Sequence, residues 1–414
     1  MTDIAGTVPV IAVDKVQAVA LAVCTYYFGV WLKGKVGVLS RYSIPSPVVG
    51  GMSFAIVVSF LEYFNIVKVQ IDSTLQTVLM LGFFTTIGLM ASLRVVKDGG
   101  RLLLGFLLAV TVLVFLQNGM GMAIAEAMGF DKHYGILAGS VSMMGGLGTA
   151  AAFGPYFEET YGITGGTAVA VTAATFGMVA ALLIGGPFGE WCIRRYKVKT
   201  PDEVQHPEPE LHLPDDMDTD ITEQHASAKP NFTNEIMRAV SVTALAMGLG
   251  TIVSNFLGHY ITLPAYIGAM IVATVIRNVG DFSGMYKVEG KGLNAVADIT
   301  LVLFVTMAIN NLKLHELVHL ALPLVVILAC QTILMLIYAW TVLFTAFGRS
   351  YDAVMLSVGG IGFSMGATAN GLANMQAISE KYGSSPRAWL IVSVVGAFLI
   401  DLINAVVITW FGTL

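Results

Sequence analysis

The sequence predicts an all-α polytopic membrane protein built as two inverted repeats of five transmembrane helices, each repeat with one re-entrant hairpin. Three observations predict it. Apolar residues make up 56% of the chain and charged residues only 12%, against about 25% charged in a soluble domain. Apolar stretches near the bilayer-crossing length of about 20 residues recur ten times along the chain. Short signatures also return in the same order in the two halves.

The spans of the first half fall near 16–32, 48–66, 76–93, 102–128 and 164–189, and those of the second near 236–258, 264–280, 293–312, 318–347 and 388–412. The first run lacks a charged start and a small-residue cleavage site, so it reads as a retained span. Two further segments, 134–160 and 353–380, are apolar but rich in Gly, Ser and Thr. These are expected to be the hairpins. The expected organisation is a first repeat over 1–191, a polar segment over 192–235 and a second repeat over 236–414. Residues 201–230 hold five prolines, nine acidic residues and one lysine, too little apolar surface to fold alone. Their His206, His212 and His225 show no metal-ligand spacing.

The halves repeat one another. Ser46-Pro47 through Gly51 resembles Leu263-Pro264 through Gly268, and Phe84-Thr85-Thr86-Ile87-Gly88 resembles Phe304-Val305-Thr306-Met307-Ala308. Gln117 and Gln331 hold comparable places in the fourth and ninth spans, Asp131 and Asp352 open the hairpin segments, and Thr160-Tyr161-Gly162 resembles Lys381-Tyr382-Gly383. Five spans is an odd number, so the second repeat enters from the opposite face, an architecture of secondary transporters. With both termini periplasmic, only Lys15, Lys68, Lys132 and Lys313 of the 22 Lys and Arg fall outside. That sorting satisfies the positive-inside rule. The central linker is then cytoplasmic, and the hairpins enter from opposite sides.

Non-helical backbone at membrane depth persists only where it is buried in protein or lines a wet cavity. Free N–H groups at a helix start attract an anion, and free carbonyls at a helix end can coordinate sodium. Hydroxyl and amide oxygens add neutral ligands. Candidate substrate contacts are Ser142, Gly145, Gly146, Gly148 and Thr149 in the first hairpin, Ser364, Gly366, Thr368 and Asn370 in the second, and Asp401. Candidate sodium ligands are Thr149, Thr175, Thr368, Asn374, Asp401 and Asn404. Asp401 stands near the middle of the last span, where a carboxylate costs about 2.5–3.5 kcal/mol on insertion scales. Gln117, Asn118 and Gln331 read equally as interhelical hydrogen bonds or as ligands. Small residues that only let helices pack closely are the competing reading of the hairpins.

Other chemistries find little support. His315-Glu316-Leu317-Val318-His319 fits the H-E-x-x-H zinc pattern, which would make a membrane metalloprotease. It lies at a span end and has no third ligand at matching depth, so no enzyme is expected. Cys24, Cys192 and Cys330 are far apart and read as core residues. A citrate or malate carrier would need basic residues at the hairpins, and a passive channel would need a continuous polar pore. No cofactor and no nucleic-acid partner is expected. Membrane lipid is an expected partner, and the hairpins by themselves suit a small anion together with a cation such as sodium.

The hairpins, the linker and the repeat together resemble the bacterial sodium/glutamate symporters over nearly the whole chain. The likeness rests on Tyr42-Ser43-Ile44-Pro45-Ser46-Pro47-Val48-Val49-Gly50-Gly51, Gly145-Gly146-Leu147-Gly148-Thr149 and Thr175-Phe176-Gly177. It extends to Gly362-Phe363-Ser364-Met365-Gly366-Ala367-Thr368, Ala373-Asn374-Met375-Gln376-Ala377 and Val395-Gly396-Ala397-Phe398-Leu399-Ile400-Asp401. Leu147 departs from a histidine common in that family, and Ala369-Asn370 from a Pro-Thr. The resemblance, and it alone, makes the anion a small anionic amino acid: it implies sodium-coupled glutamate uptake across the inner membrane. It also implies an elevator-type homodimer, in which a transport domain carrying both hairpins moves against a scaffold.

Overall fold

A computed structural model describes residues 9–37, 39, 44–94, 100–201, 232–257, 265–284, 286, 290–314 and 320–414. Most of the expected linker, with its three histidines, and the whole 315–319 motif lie outside the described residues, as do Tyr42, Ser43, Leu263 and Pro264.

The chain is helical almost throughout. In the first half, α1 is Lys15–Lys35, α2 Ser46–Tyr63, α3 Thr74–Met90 and α4 Gly100–Ala127. Helix α5, Lys132–Ile136, continues as a π-helical turn over Leu137–Val141; α6 is Gly146–Tyr161 and α7 Gly166–Tyr196. In the second half, α8 is Phe232–Leu257, α9 Ala265–Ser283 and α10 Lys291–Asn310. Then come α11, Ala321–Ala346, α12, Tyr351–Ser364, and α13, Thr368–Tyr382. The last is α14, Pro386–Gly412, with a π-helical turn at Val395–Leu399. Local signals set several starts. Asp14 caps α1 by accepting from Val16 N and Gln17 N, while the Gln17 side chain bonds back to Asp14 N, a capping box. Asp131 and Ser350 cap the two hairpin segments.

Among the described residues, eight helices are long and apolar enough to cross a membrane: α1, α2, α4, α7, α8, α10, α11 and α14. Two of the ten expected spans fall short of that measure. Helix α3 has 17 residues, and α9 carries Arg277 and Asp281, paired at 3.0 Å. A small difference from an all-α chain is a parallel pair of strands, β1 (Val10–Val13) and β2 (Lys68–Ile71). Each is four residues long, so neither stands out in a hydropathy pattern dominated by long helices.

Packing cuts across the two halves of the sequence. One group joins α1, α2 and α3 with α8, α9 and α10. The other joins α4 through α7 with α11 through α14. Within the first group, α1 and α2 cross at Gly29 and Gly50, so closely that a methyl on Gly50 would lie 1.8 Å from Thr25 O. Helices α8 and α9 cross in the same way at Gly250 and Gly268. Close approach of this kind is what small residues permit between membrane helices. The second group holds most of the core, including Phe106, Phe153, Phe157, Phe344 and Phe363. Aromatic rings line the boundary: Phe153 of the second group meets Tyr266 of the first at 5.4 Å, and Tyr266 in turn stacks on Phe84 within its own group at 4.5 Å.

Candidate functional site

Each Gly-rich segment forms a helix-turn-helix unit. The first runs α5, turn, α6, and the second α12, turn, α13. Their tips touch in the middle of the second helix group. Gly146 has φ +61, and a methyl there would lie 2.5 Å from Gly366 O. Glycine is needed twice over at this point, for the left-handed backbone and for the close approach. Gly139 breaks the π-helical turn with ψ −129. A side chain there would run into Asn118 Oδ1 and Gln117 O of α4.

Four polar side chains from three helices meet around these tips. Gln117 on α4 donates Nε2 to Ser364 O at the end of α12, 2.9 Å away. Gln331 on α11 donates to Gln117 O at 2.7 Å. Asn118 accepts from Ser140 N at 2.9 Å, and Asn404 on α14 donates to Ser140 O at 3.1 Å. One connected network therefore ties α4, α11 and α14 to both hairpins.

The network is incomplete within the protein. Gln117 Oε1, Asn118 Nδ2, Ser140 Oγ, Gln331 Oε1, Ser364 Oγ and Asn404 Oδ1 are buried without a hydrogen-bond partner among the described residues. Each of these residues is 1% exposed or less. A buried polar atom left unsatisfied costs about 1–3 kcal/mol, so six together would cost on the order of 10 kcal/mol, as much as a typical domain's whole stability. Bound ions or water at such atoms remove that cost. Five of the six are neutral oxygens, a ligand set suited to a cation that sheds its hydration shell.

The residues singled out from sequence divide into several roles. Ser364 and Asn404 join the network directly. Ser142 is pinned instead: its hydroxyl lies 2.5 Å from Leu137 O and 2.7 Å from Ala170 O, tying the first tip to α7. Asn370 and Asn374, one turn apart on α13, donate to Met178 O at 2.8 Å and Ala181 O at 3.0 Å. They dock the second hairpin on α7. Thr368 donates to Gly396 O at 2.5 Å, within the π-helical turn of α14. Thr149 folds over Gly145, where a methyl would collide with it. Gly148 faces Phe83 of α3 and Leu301 of α10, at the boundary between the helix groups. Thr175 donates to its own helix at Val171 O, 2.8 Å, while Thr172 nearby has an unpartnered Oγ1.

Asp401 is partly buried on α14 and makes no hydrogen bond or ion pair among the described residues. It stands between Gly396 and Asn404, which bind the second and first hairpins respectively. It therefore lies on α14 between the contacts to the two hairpins.

Sequence reasoning passed over Ser140 and left Gln117, Asn118 and Gln331 undecided. A signal existed for the glutamines, since a polar amide occupies matching places in the fourth and ninth spans. Nothing in the sequence distinguishes Ser140 from Ser142, because the distinction depends on which hydroxyl meets a carbonyl. No group of three or more His, Cys, Asp or Glu side chains suited to a metal ion is found among the described residues.

Comparison with known proteins bears on what the site carries. Residues 11–384 match the family model for sodium/glutamate symporters. The sodium/glutamate symporter of Escherichia coli (strain K12) is 37% identical over 397 residues, 95% of this chain and 96% of its own length. That of Haemophilus influenzae is 34% identical over 395 residues, 94% of this chain and 95% of its own. A protein of the same name from Shigella flexneri is 37% identical over 397 residues.

Proposed function

This chain belongs to the sodium/glutamate symporter family, and from that premise we propose that it takes up L-glutamate by sodium-coupled symport. It is a multi-pass membrane transporter rather than an enzyme. The metalloprotease reading of 315–319 finds no support in the family. The observation that carries the reading at the level of residues is the network of buried, unpartnered polar atoms where the hairpin tips meet.

Sodium, as cargo, is assigned to the neutral oxygens of that network: Gln117 Oε1, Gln331 Oε1, Ser140 Oγ, Ser364 Oγ and Asn404 Oδ1. Thr172, Thr175 and Asp401 extend the candidate set along α7 and α14. Glutamate is assigned to the hairpin tips beside it. There the Gly145, Gly146, Gly148 and Gly366 backbone, with Thr149 and Thr368, lies close to the start of α6 and α13. Helix N-termini favour a carboxylate. Asp401 is free to pair with the substrate ammonium. Bound sodium orders the tips and adds positive charge, so the dicarboxylic substrate binds after it. Ser142, Asn370 and Asn374 hold the tips on α7 and act on transport by positioning.

Alternating access is assigned to movement of the hairpin-bearing helix group against the group of α1–α3 and α8–α10, an elevator. Two things support this: each group draws on both halves of the chain, and the facing rings of Phe153, Tyr266 and Phe84 form an apolar boundary that can slide. The matching crossings at Gly29/Gly50 and Gly250/Gly268 support the inverted repeat. The reading places the protein in the bacterial inner membrane as a homodimer, both termini periplasmic and the linker cytoplasmic, with the hairpins re-entrant. A citrate or malate carrier is disfavoured because the sole buried Arg among the described residues is Arg277, paired with Asp281 on α9.

The test is uptake by purified protein in liposomes. Glutamate, aspartate, citrate and malate are compared with and without an inward sodium gradient. Glutamate accumulation that requires the gradient is expected. Accumulation of citrate in its place, or rates indifferent to sodium, overturns the reading. Asp401→Asn is expected to depress uptake, and unchanged rate and sodium dependence would remove Asp401 from the mechanism.

A further inference from the structure

The first hairpin is fastened at its root, the end away from the tip, as well as at the tip itself. His133 on α5 is 8% exposed. Its Nδ1 lies 2.5 Å from Asp131 Oδ1, the carboxylate that caps the same helix. Its Nε2 lies 3.2 Å from Gly412 O in the last turn of α14. The ring stacks on Tyr161 of α6 at 4.2 Å. The Tyr161 hydroxyl in turn rests on Gly412, where a methyl would lie 2.5 Å from it. One imidazole therefore holds both limbs of the hairpin against the end of α14.

Both ring nitrogens face oxygen. Only the imidazolium donates from both; the neutral ring has a single N–H. A bond to a carboxylate is charge-assisted and the stronger of the two, so the neutral ring keeps its proton on Nδ1. Nε2 then turns a lone pair toward Gly412 O. The bond that comes and goes with a proton is the one between the hairpin and α14. Asp131 is 45% exposed at its side chain, which gives protons a path to the buried ring. Other charged side chains at this end are Lys132 on the ring's own segment, Glu126 on α4, and Glu158 and Glu159 on α6, while α14 has none after Asp401. Glu158 is engaged by the Thr167 N–H, and Glu126 and Glu159 are exposed. The root of the second hairpin is held without a histidine. There Tyr351 donates to Gly383 O at 2.5 Å, Ser385 donates to Asp352 at 2.6 Å, and Lys381 pairs with Glu190 of α7 at 2.8 Å.

We propose that His133 is a positioning residue for the sodium site, its proton setting how firmly the first hairpin sits on α14. Asn404, about two helical turns before Gly412, donates to Ser140 O of the same hairpin. The free Ser140 Oγ and Asn404 Oδ1 converge on one ion only while the hairpin and α14 keep their relative position. Loss of the His133–Gly412 bond frees the root and loosens that pair. This rests on the reading of those two oxygens as sodium ligands. The bond is present with the proton bound and is lost as pH rises. Histidine changes charge between about pH 5 and 8, so sodium binding weakens as pH climbs through that range.

Glutamate uptake into proteoliposomes tests the role, with pH equal on both sides and the sodium concentration varied. In the wild type, the sodium concentration for half-maximal uptake should rise about threefold between about pH 6 and pH 8, the scale of one hydrogen bond. His133→Gln, which does not titrate, should hold the wild type's high-pH value at every pH. Asp131→Asn keeps a capping side chain but removes the charge that holds the ring proton, so its transition should move to lower pH. That shift decides the matter even where His133→Gln does not fold. The same pH dependence in wild type and His133→Gln overturns the proposal, as does a transition that Asp131→Asn leaves in place. Half-saturating sodium that rises as pH falls, alike in all three proteins, marks proton competition at the sodium ligands and also overturns it. Wild-type uptake indifferent to sodium would instead overturn the function on which the proposal rests.

Discussion

Replacing Gly146 by alanine isolates the meeting of the two hairpins. The substitution has two consequences. Gly146 sits at φ +61, and an L-residue in the left-handed region is disfavoured by roughly 1–2 kcal/mol. The new methyl would also lie 2.5 Å from Gly366 O, whereas ordinary contact begins at 3.4 Å. One tip must therefore retreat by about 0.9 Å from the other. Displacements of about 1 Å at a reacting or binding centre can cost on the order of 100-fold in rate. Gly162 supplies the control. It has φ +68, but a methyl there meets nothing within 4 Å. Gly162→Ala carries the same backbone strain without the contact. Both variants should lose about 1–2 kcal/mol of stability, read from unfolding in detergent. Sodium-driven glutamate uptake in liposomes should fall by on the order of 100-fold only in Gly146→Ala. Equal transport by the two variants would refute the idea that the tips form the site.

Ser140→Ala removes a buried hydroxyl that has no partner, so it should leave stability unchanged or raise it by up to about 1–2 kcal/mol while weakening sodium-dependent uptake. Ser142→Ala, which removes a bonded hydroxyl, should instead cost about 1 kcal/mol of stability and loosen the first tip from α7; thermal unfolding measured beside uptake separates the two. Gln117→Met keeps the side-chain shape but loses both the bond to Ser364 O and the free Oε1. The sodium concentration for half-maximal uptake should rise about tenfold, equivalent to roughly 1.4 kcal/mol, and an unchanged value would exclude Gln117 as a ligand. Asp281→Ala removes the carboxylate that Arg277 Nε and Ser92 Oγ contact at 3.0 and 2.6 Å. It should destabilise the protein by about 3–5 kcal/mol without changing substrate preference, as judged by a denaturation midpoint and a competition panel.

The departure at Leu147 takes on a physical form in the folded chain. Leu147 is partly buried and packs against the main core, between Gly146 at the tip contact and Gly148 at the α3–α10 boundary. An apolar side chain here meets the surrounding core through van der Waals contact alone.

Much of this protein was legible from one dimension. Span positions follow from runs of apolar residues, because a bilayer selects for length and hydropathy within each segment alone. The hairpin segments were visible because Gly, Ser and Thr interrupt those runs; Asp131, which opens the first of them, caps α5, whereas Ser350 rather than Asp352 caps α12. The expected limits of α3 and α9 sit within a few residues of the helices found, yet neither meets the measure of a long apolar span. The Arg277–Asp281 pair within α9 has a local cause, a spacing of one helical turn. The family signatures were likewise written in contiguous residues.

The site was decided elsewhere. Ser140 and Ser142 are two residues apart and chemically identical, yet one hydroxyl meets Leu137 O and Ala170 O while the other meets nothing. Asn370 and Asn374, candidate ligands from the sequence, donate their Nδ2 groups to α7, whereas Gln117 and Gln331 join the network at the hairpin tips. The pairing of β1 with β2, 58 residues apart in register from Val10 to Lys68, was equally out of reach. Hydropathy and charge are properties a residue carries with it. Whether a buried oxygen is satisfied depends on which atom of a distant helix arrives within about 3 Å, and only the packed helices determine that.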